Sequence, residues 1–299
     1  MWIRSSGAIS ENVFQLTTSI TNHAFIVGHA SALIDASLAT LAERLILSAK
    51  EVIGEDDTID FILLTHADYD TVGGIYSIRQ QYPECELICG AKTAEILADK
   101  TKQEEFYNLN QELAKAMKFD FSTSFDDWAS ALEVTRVLGD GDGIDLGEDV
   151  QLRLVASPGY RDDAVNYYVQ PDFVLACCEA IGGYGGRELI MNCFTTDYQA
   201  YLSSIQRLSA LEVKAIMFPH HGSITGEMVT KYFMDVQGKA LEFRKIVADR
   251  IAQGELIEEI VAGMLADWQS LGISPKGPFA NEQEKSLEDM IRAIAKLGQ

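Results

Sequence analysis

Phe61-Ile62-Leu63-Leu64-Thr65-His66-Ala67-Asp68-Tyr69-Asp70-Thr71-Val72-Gly73-Gly74 is the stretch that decides the architecture. Four consecutive apolar residues, with no polar residue on either alternating face, describe a strand buried on both sides of a sheet. The run stops at a polar loop, and Gly73-Gly74 then opens a helix through about Gln81. In open α/β sheets, sites assemble in loops at the carboxyl ends of strands. His66, Asp68 and Asp70 follow at i, i+2 and i+4, so a loop of alternating direction can turn all three inward. That donor set suits a hard or borderline divalent cation. The plainer reading is a solvated loop whose acids cap the following helix, a role open to Asp70 and Thr71.

Outward from this loop, short β-like runs alternate with amphipathic helical runs as far as residue 225. Residues 24–27 and 32–35 read as strands joined at Gly28-His29, and residues 38–53 as a helix. Leu87 to Cys89 form the next strand. Residues 91–131 carry few β-branched residues and read as two or three inserted helices. The β pattern returns at 135–138, 151–157, 166–169 and 173–178, with residues 139–147 as turns. Gly182 to Gly186 read as a flexible loop. A helix over 197–208, capped by Thr195 or Thr196, leads to a last strand at 215–218 that ends in Pro219-His220-His221-Gly222. Beyond residue 225 every periodic segment is helical. Phe243, Ile246, Val247 and Ile251 share a face, as do Leu256, Ile260, Val261, Met264 and Trp268, and then Leu287, Met290, Ile291, Ile294 and Leu297. These stripes must pack on the main domain or on a second copy, so a homodimer through the C-terminal helices is one expectation. Residues 273–279 break the helical run.

The chain has 299 residues, 47% hydrophobic and 23% charged, which is a globular composition able to bury a full core. Its net charge of −21 argues against nucleic acid as the partner, because phosphate binding needs clustered Lys and Arg. No apolar run is long enough to span a bilayer, and the first residues carry no apolar stretch of signal-peptide length. Five cysteines, two of them adjacent and none in a C-x-x-C pair, point to a reducing, cytoplasmic setting. They read as small core residues. His23 and His29 read as surface or internally satisfied residues.

The Thr65–Gly74 loop resembles the T-H-x-H-x-D-H-x-G-G motif of the metallo-β-lactamase superfamily. Four further landmarks follow in that family's order: Ala32-Leu33-Ile34-Asp35, Ser157-Pro158-Gly159-Tyr160, Cys177-Cys178-Glu179 and Pro219-His220-His221-Gly222. The resemblance covers about residues 10–225 and implies an α/β fold, an αββα sandwich, over residues 1–225 with the helical insertion at about 91–131. Residues 226–299 would form a C-terminal helical cap. Insertion, motif loop and cap together look like the alkylquinolone-signal response thioesterases of this superfamily.

Carried over position by position, the resemblance puts one metal at residues 66, 68 and 160, a second at 70, 71 and 221, and a bridging ligand at 179. Here these are His66, Asp68, Tyr160, Asp70, Thr71, His221 and Glu179, so three of the family's five histidines are replaced. The implied ligand set is His66, Asp68, Asp70, Glu179 and His221, holding one or two divalent ions. Exchange of imidazole for carboxylate moves the preference from zinc toward iron, manganese or magnesium. The implied activity is metal-dependent hydrolysis of an ester or thioester, a small-molecule substrate, with Asp70 and Tyr160 as catalytic residues. Two other readings stand beside it. In one, the chain is an inactive binding or regulatory homologue, its pocket filled by Tyr160 and by Arg161 or Arg187. In the other it is a non-haem diiron protein that binds or reduces oxygen, since flavodiiron proteins show a similar acid-for-histidine exchange.

Overall fold

The computed structural model describes residues 1–54, 58–186, 189–270 and 280–298. In chain order the strands are β1 (Trp2–Ile3), β2 (Gly7–Ala8), β3 (Val13–Thr17), β4 (Asn22–Val27), β5 (Ser31–Ile34), β6 (Phe61–Leu63), β7 (Glu86–Gly90) and β8 (Arg136–Leu138). They continue as β9 (Gly143–Asp145), β10 (Gln151–Ala156), β11 (Val165–Gln170), β12 (Val174–Ala176), β13 (Gly183–Gly186), β14 (Leu189–Met191), β15 (Ala215–Met217) and β16 (Ser223–Thr225). The α-helices are α1 (Ala42–Ile53), α2 (Tyr69–Val72), α3 (Ile75–Gln81), α4 (Ala91–Ala98), α5 (Lys100–Met117) and α6 (Phe125–Ser130). After the second sheet begins come α7 (Tyr198–Ser209), α8 (Glu227–Ala252), α9 (Ile257–Ser270) and α10 (Ala280–Ala295).

Two seven-stranded sheets result, ordered β2-β3-β4-β5-β6-β7-β8 and β1-β16-β15-β12-β11-β10-β9. The parallel pairs β5–β6, β6–β7 and β7–β8 place the ends of β5 and β6 side by side, with Leu33 opposite Ile62 and Ile34 opposite Leu63. Strand alternation then sorts the side chains between layers. In β6, Leu63 faces the inter-sheet core with Ile34, Tyr167, Val174 and Met217, while Ile62 faces the first helical layer with Leu45, Ile75, Ile78 and Trp128. In β12 and β15, Leu175 and Ile216 turn the other way, into a third core built with α7, α8, α9 and α10. This is the αββα sandwich with a helical insertion, α4 to α6, and a C-terminal helical layer. The stripes of the last helices are used within the chain: Val247, Ile260, Val261, Met264, Leu287, Ile291 and Ile294 are all buried in that third core. Ile246, Leu256 and Leu297 face solvent.

Several local expectations change. The first three strands carry no alternating run long enough to register in the sequence, and β9 forms inside the Gly/Asp stretch read as turns. Gly183 to Gly186 form β13, paired antiparallel with β14, rather than an irregular loop. The cap of α7 is Asp197, whose carboxylate accepts the Ala200 N–H at 2.9 Å. Thr195 and Thr196 are committed elsewhere: their hydroxyls donate to the carbonyls of Tyr160 and Gly159, tying that loop to the start of α7. Residues 273–279 and Arg187 lie outside the described residues.

Gly73 and Gly74 are required by packing. A Cβ on Gly74 would stand 2.2 Å from the Ala36 carbonyl oxygen, and one on Gly73 would stand 2.6 Å from the Ala39 amide nitrogen. Both obstacles are backbone, which cannot step aside cheaply. The two glycines thus let α2 and α3 press against the loop that follows β5.

Candidate functional site

The ends of β4, β5, β6, β12 and β15 converge on a cavity of about 10 Å³, lined among others by His23, Asp35, His66, Asp70, Glu179 and His220. That is room for one solvent-sized occupant. Of the expected site residues, the structure brings His66, Asp70 and Glu179 to this cavity.

His66 is buried, and its Nδ1 lies 2.9 Å from Thr65 Oγ1. The Thr65 hydroxyl donates to Asp35 Oδ2 at 2.8 Å, and the Thr65 amide donates to Asp35 Oδ1 at 2.8 Å. An ionised Asp35 makes His66 Nδ1–H the donor to Thr65 and leaves Nε2 with a lone pair, whereas a protonated Asp35 reverses the chain and puts the proton on Nε2. Burial holds His66 below the usual histidine value, so the ring is neutral. Burial, and less so the nearby Asp70 and Glu179, push Asp35 up to about 8.

Glu179 opens the short helical turn that follows β12 after Cys177-Cys178, and its Oε1 lies 3.3 Å from His220 Nε2. His220 Nδ1–H donates to the Ile20 carbonyl at 3.0 Å, and Nε2 also faces Asp70 Oδ2 at 3.8 Å. Burial opposes charge on this ring, but its hydrogen bond to Glu179 and the two carboxylates outweigh burial and raise it. Glu179 moves the opposite way: burial would raise it, and His220 and His66 pull it down. The cation beside Glu179 is therefore His220. Neither Arg161 nor any residue of the Tyr160 loop supplies it. The second carboxylate oxygen, Glu179 Oε2, is buried with no hydrogen-bond partner.

Asp68 and His221 are placed differently from the expected ligand set. Asp68 caps α2: its Oδ1 accepts the Tyr69 N–H at 2.8 Å, and its own N–H donates to Thr71 Oγ1 at 2.9 Å. Its Oδ2 accepts from Arg161 at 2.8 Å. Asp68 and Thr71 thus form a capping box, which accounts for a threonine where the family pattern has a histidine. His221 takes a left-handed conformation, φ 65°, in the tight turn closed by Phe218 N–H and the Gly222 carbonyl. That turn carries its ring to the surface, while its carbonyl accepts the Trp2 indole N–H at 2.8 Å. Its neighbour His220 lines the cavity instead.

Arg161 sits on the outer side of the motif loop. It donates to Asp68, to Asp163 Oδ1 at 3.1 Å and to the Ala67 carbonyl at 2.8 Å. Asp163 is buried, yet His66, Arg161 and the Ala67 amide hold it below the usual carboxylate value against that burial. Tyr160 packs edge-on to His66, ring centroids 5.4 Å apart, and against Ala164, Cys178 and Ala180. Burial and the surrounding acids push its phenol well above the ordinary value, so it is a neutral hydroxyl rather than a phenolate. His23 is satisfied internally, by the Ile34 carbonyl at 3.0 Å and Thr21 Oγ1 at 2.8 Å. His29 is exposed beside Glu148.

Sequence reasoning passed over two residues. The family position falls on His221, which gives its neighbour His220 no role in the sequence reading. Cys178 was read as core. Among the described residues, the ligand-type group of three that comes within mutual reach is His66, Cys178 and Glu179, with one donor atom of each lying within 4.8 Å of the others. The five cysteines are all free.

The donor set fits one divalent ion and does not fit two. One buried imidazole, its Nε2 free when Asp35 is ionised, and one buried carboxylate oxygen without a partner face an ion-sized space. The remaining positions of a two-ion pattern are occupied: Asp68 by Arg161 and a helix cap, Thr71 by that cap, Tyr160 by packing.

Residues 31–167 match the family model described as the β-lactamase superfamily domain. A curated relative, a metallo-β-lactamase fold-containing protein of Sulfurisphaera tokodaii, is 22% identical over 185 residues, covering 61% of this chain and 68% of the relative. The crystal structure of an archaeal metallo-β-lactamase superfamily protein from Sulfolobus tokodaii superposes with a TM-score of 0.54 at 16% identity, over 92% of this chain and 93% of that one. A stereoselective inverting sec-alkylsulfatase from Pseudomonas sp. gives a TM-score of 0.64 at 13% identity, covering 99% of this chain and 50% of that protein. The subclass B3 metallo-β-lactamase of Bradyrhizobium japonicum gives 0.58 at 16% identity, over 84% and 96%. Residues 31–167 thus resemble the β-lactamase superfamily domain, and the chain has the metallo-β-lactamase fold. Members of that superfamily include hydrolases, and the superfamily typically binds divalent metals. Among the described residues no helix is long and apolar enough to cross a membrane.

Proposed function

We propose that the chain is a metal-dependent hydrolase of an ester or thioester that works with a single divalent ion held on His66 and Glu179. The observation that carries this reading is Glu179 Oε2, a buried carboxylate oxygen with no hydrogen-bond partner, beside an ion-sized cavity. An orphaned buried acceptor is costly, and a cation satisfies it. A bound divalent ion would supply Lewis acidity and a water of lowered pKa.

The chain's own residues divide the other tasks. Thr65 and Asp35 fix the tautomer of His66. Asp70, across from His220, accepts a proton from the attacking water. His220, held protonated between Glu179 and Asp70, donates a proton to the leaving oxygen or sulfur. Tyr160 forms a neutral wall over His66 with its hydroxyl available to a developing oxyanion.

A second reading, a metal-free binding protein, is favoured by one observation: His220 already neutralises Glu179, and Arg161 already neutralises Asp68. Elemental analysis of protein purified without chelators or a metal-affinity tag separates the two, alongside assays with aryl ester and acyl-thioester substrates. The hydrolase reading expects one equivalent of a divalent metal, lost in His66→Ala and Glu179→Ala, with turnover lost in Asp70→Ala. Substoichiometric metal unchanged by these substitutions overturns it in favour of the binding protein.

A further inference from the structure

We propose that Cys178 is the third protein ligand of the ion, completing a His66–Cys178–Glu179 donor set that selects a thiophilic cation such as zinc over manganese or magnesium. This rests on the metal-binding reading above and concerns the identity of the donors rather than the reaction.

Three observations carry it. The donor atoms of His66, Cys178 and Glu179 lie within 4.8 Å of one another, close enough for a small contraction to bring all three onto one ion. The backbone holds the thiol in place: the Cys178 N–H donates to Asn166 Oδ1 at 2.9 Å, and Asn166 Nδ2–H donates to Ser157 Oγ at 2.8 Å. Cys178 is also the cap of the short helical turn Glu179–Ile181, its Sγ accepting the Ala180 N–H at 3.5 Å. Glu179 divides its oxygens, Oε1 toward His220 and Oε2 without a partner, so a ligand oxygen remains beside the thiol.

The chemistry of the set decides the cation. Imidazole, thiolate and carboxylate together suit zinc or cobalt, whereas an all-oxygen set would suit manganese or magnesium. Three protein ligands with one open position are also the pattern of catalytic rather than structural zinc sites. When the S–metal bond forms, the thiol gives its proton to solvent, so binding releases one proton per ion from this residue.

Cobalt(II) added to the full chain, stripped of metal by a chelator, tests this by absorbance. A thiolate ligand produces a near-ultraviolet sulfur-to-cobalt charge-transfer band, which nitrogen and oxygen donors do not. The wild type is expected to show the band, Cys178→Ser to lose it, and Cys193→Ser, which removes the other thiol near Glu179, to keep it. Serine is a good helix cap, so the substitution keeps the Ala180 contact and the fold. Zinc is expected to displace the cobalt, and excess manganese to leave it bound. Cobalt binding in the wild type without the charge-transfer band, or a band that survives in Cys178→Ser, overturns the assignment of Cys178 while the single-ion reading stands. Displacement by manganese overturns the selectivity. No binding of cobalt or zinc by the wild type overturns both this inference and the metal reading beneath it.

Discussion

Replacing Arg161 by methionine isolates the charge balance on the outer side of the motif loop. Methionine keeps the apolar stem and removes the guanidinium. In the wild type that group makes three contacts, to Asp68, Asp163 and the Ala67 carbonyl, with only 27% of its side chain exposed. The variant leaves Asp163, with 2% of its side chain exposed, without its counter-charge. Breaking a buried pair by removing one partner costs about 3–5 kcal/mol. Asp68 and Arg161 retain some solvent contact, so the lower end, about 3 kcal/mol, is the expected loss. A chain of 299 residues has an unfolding entropy of roughly 0.6 kcal/mol/K. The melting temperature at neutral pH should therefore fall by about 5 °C. The pH dependence has a definite sign. Asp163 is held below its unfolded value near ~3.9, so its contribution is fully present above that pH and is lost as pH falls through the lower folded value. Without Arg161 this acid titrates higher, so the deficit is widest at neutral pH and narrows below about pH 4. Circular dichroism melts of both proteins across that range provide the assay. A drop of under ~1 °C at neutral pH, or a deficit of constant size at all pH values, refutes the account of Arg161 as the partner of two acids.

Four further outcomes follow from the same geometry. Thr71→Val removes the hydroxyl that accepts the Asp68 N–H, and should cost about 1 kcal/mol in chemical denaturation while leaving metal content unchanged. His220→Ala removes the cation that competes for Glu179, so it should abolish turnover while metal is retained on dialysis at least as well as in the wild type, whereas His221→Ala, whose ring faces solvent, should alter neither. Gly74→Ala forces a Cβ against the Ala36 carbonyl at 2.2 Å and should leave little folded protein in the soluble fraction after expression. In the metal-free chain, Asp35 has a raised folded value of about 8, so it binds its proton more tightly folded than unfolded. Stability should fall as pH rises from about 4 toward 8, and Asp35→Asn should flatten that slope in urea titrations; an unchanged slope counts against the assignment.

The fold was legible where a strand is buried on both faces, because continuous apolar runs such as Phe61 to Leu64 and the residues around Leu175 leave few alternatives. It was illegible at β1, β2, β9 and β13, which are only two to four residues long, the last three of them rich in glycine. Their pairing comes from neighbours already in place, a tertiary effect that a local pattern does not carry. At the site, spacing pointed to His66, Asp70 and Glu179, and these reach one cavity. It could not say that Asp68 turns back to cap its own helix, since cap and ligand call for the same residue in the same place. The exchange of His220 for His221 depends on a left-handed residue in the five-residue turn Phe218–Gly222, and adjacent histidines give no hint of which one turns inward. Cys178 did carry a signal that went unused: a cysteine just past the end of a buried strand, next to an acid, is placed as a ligand would be.

The capping box and Arg161 have a consequence for how such a site changes over generations. Asp68, Thr71 and Arg161 hold one another: a histidine at 68 alone loses the helix cap and sets an imidazole against the guanidinium, and a histidine at 71 alone breaks the box from the other side. A lineage drifting back toward the common histidine pattern must therefore cross less stable intermediates, or change several positions at once. The mutual packing of these three residues gives the loop a sequence optimum of its own.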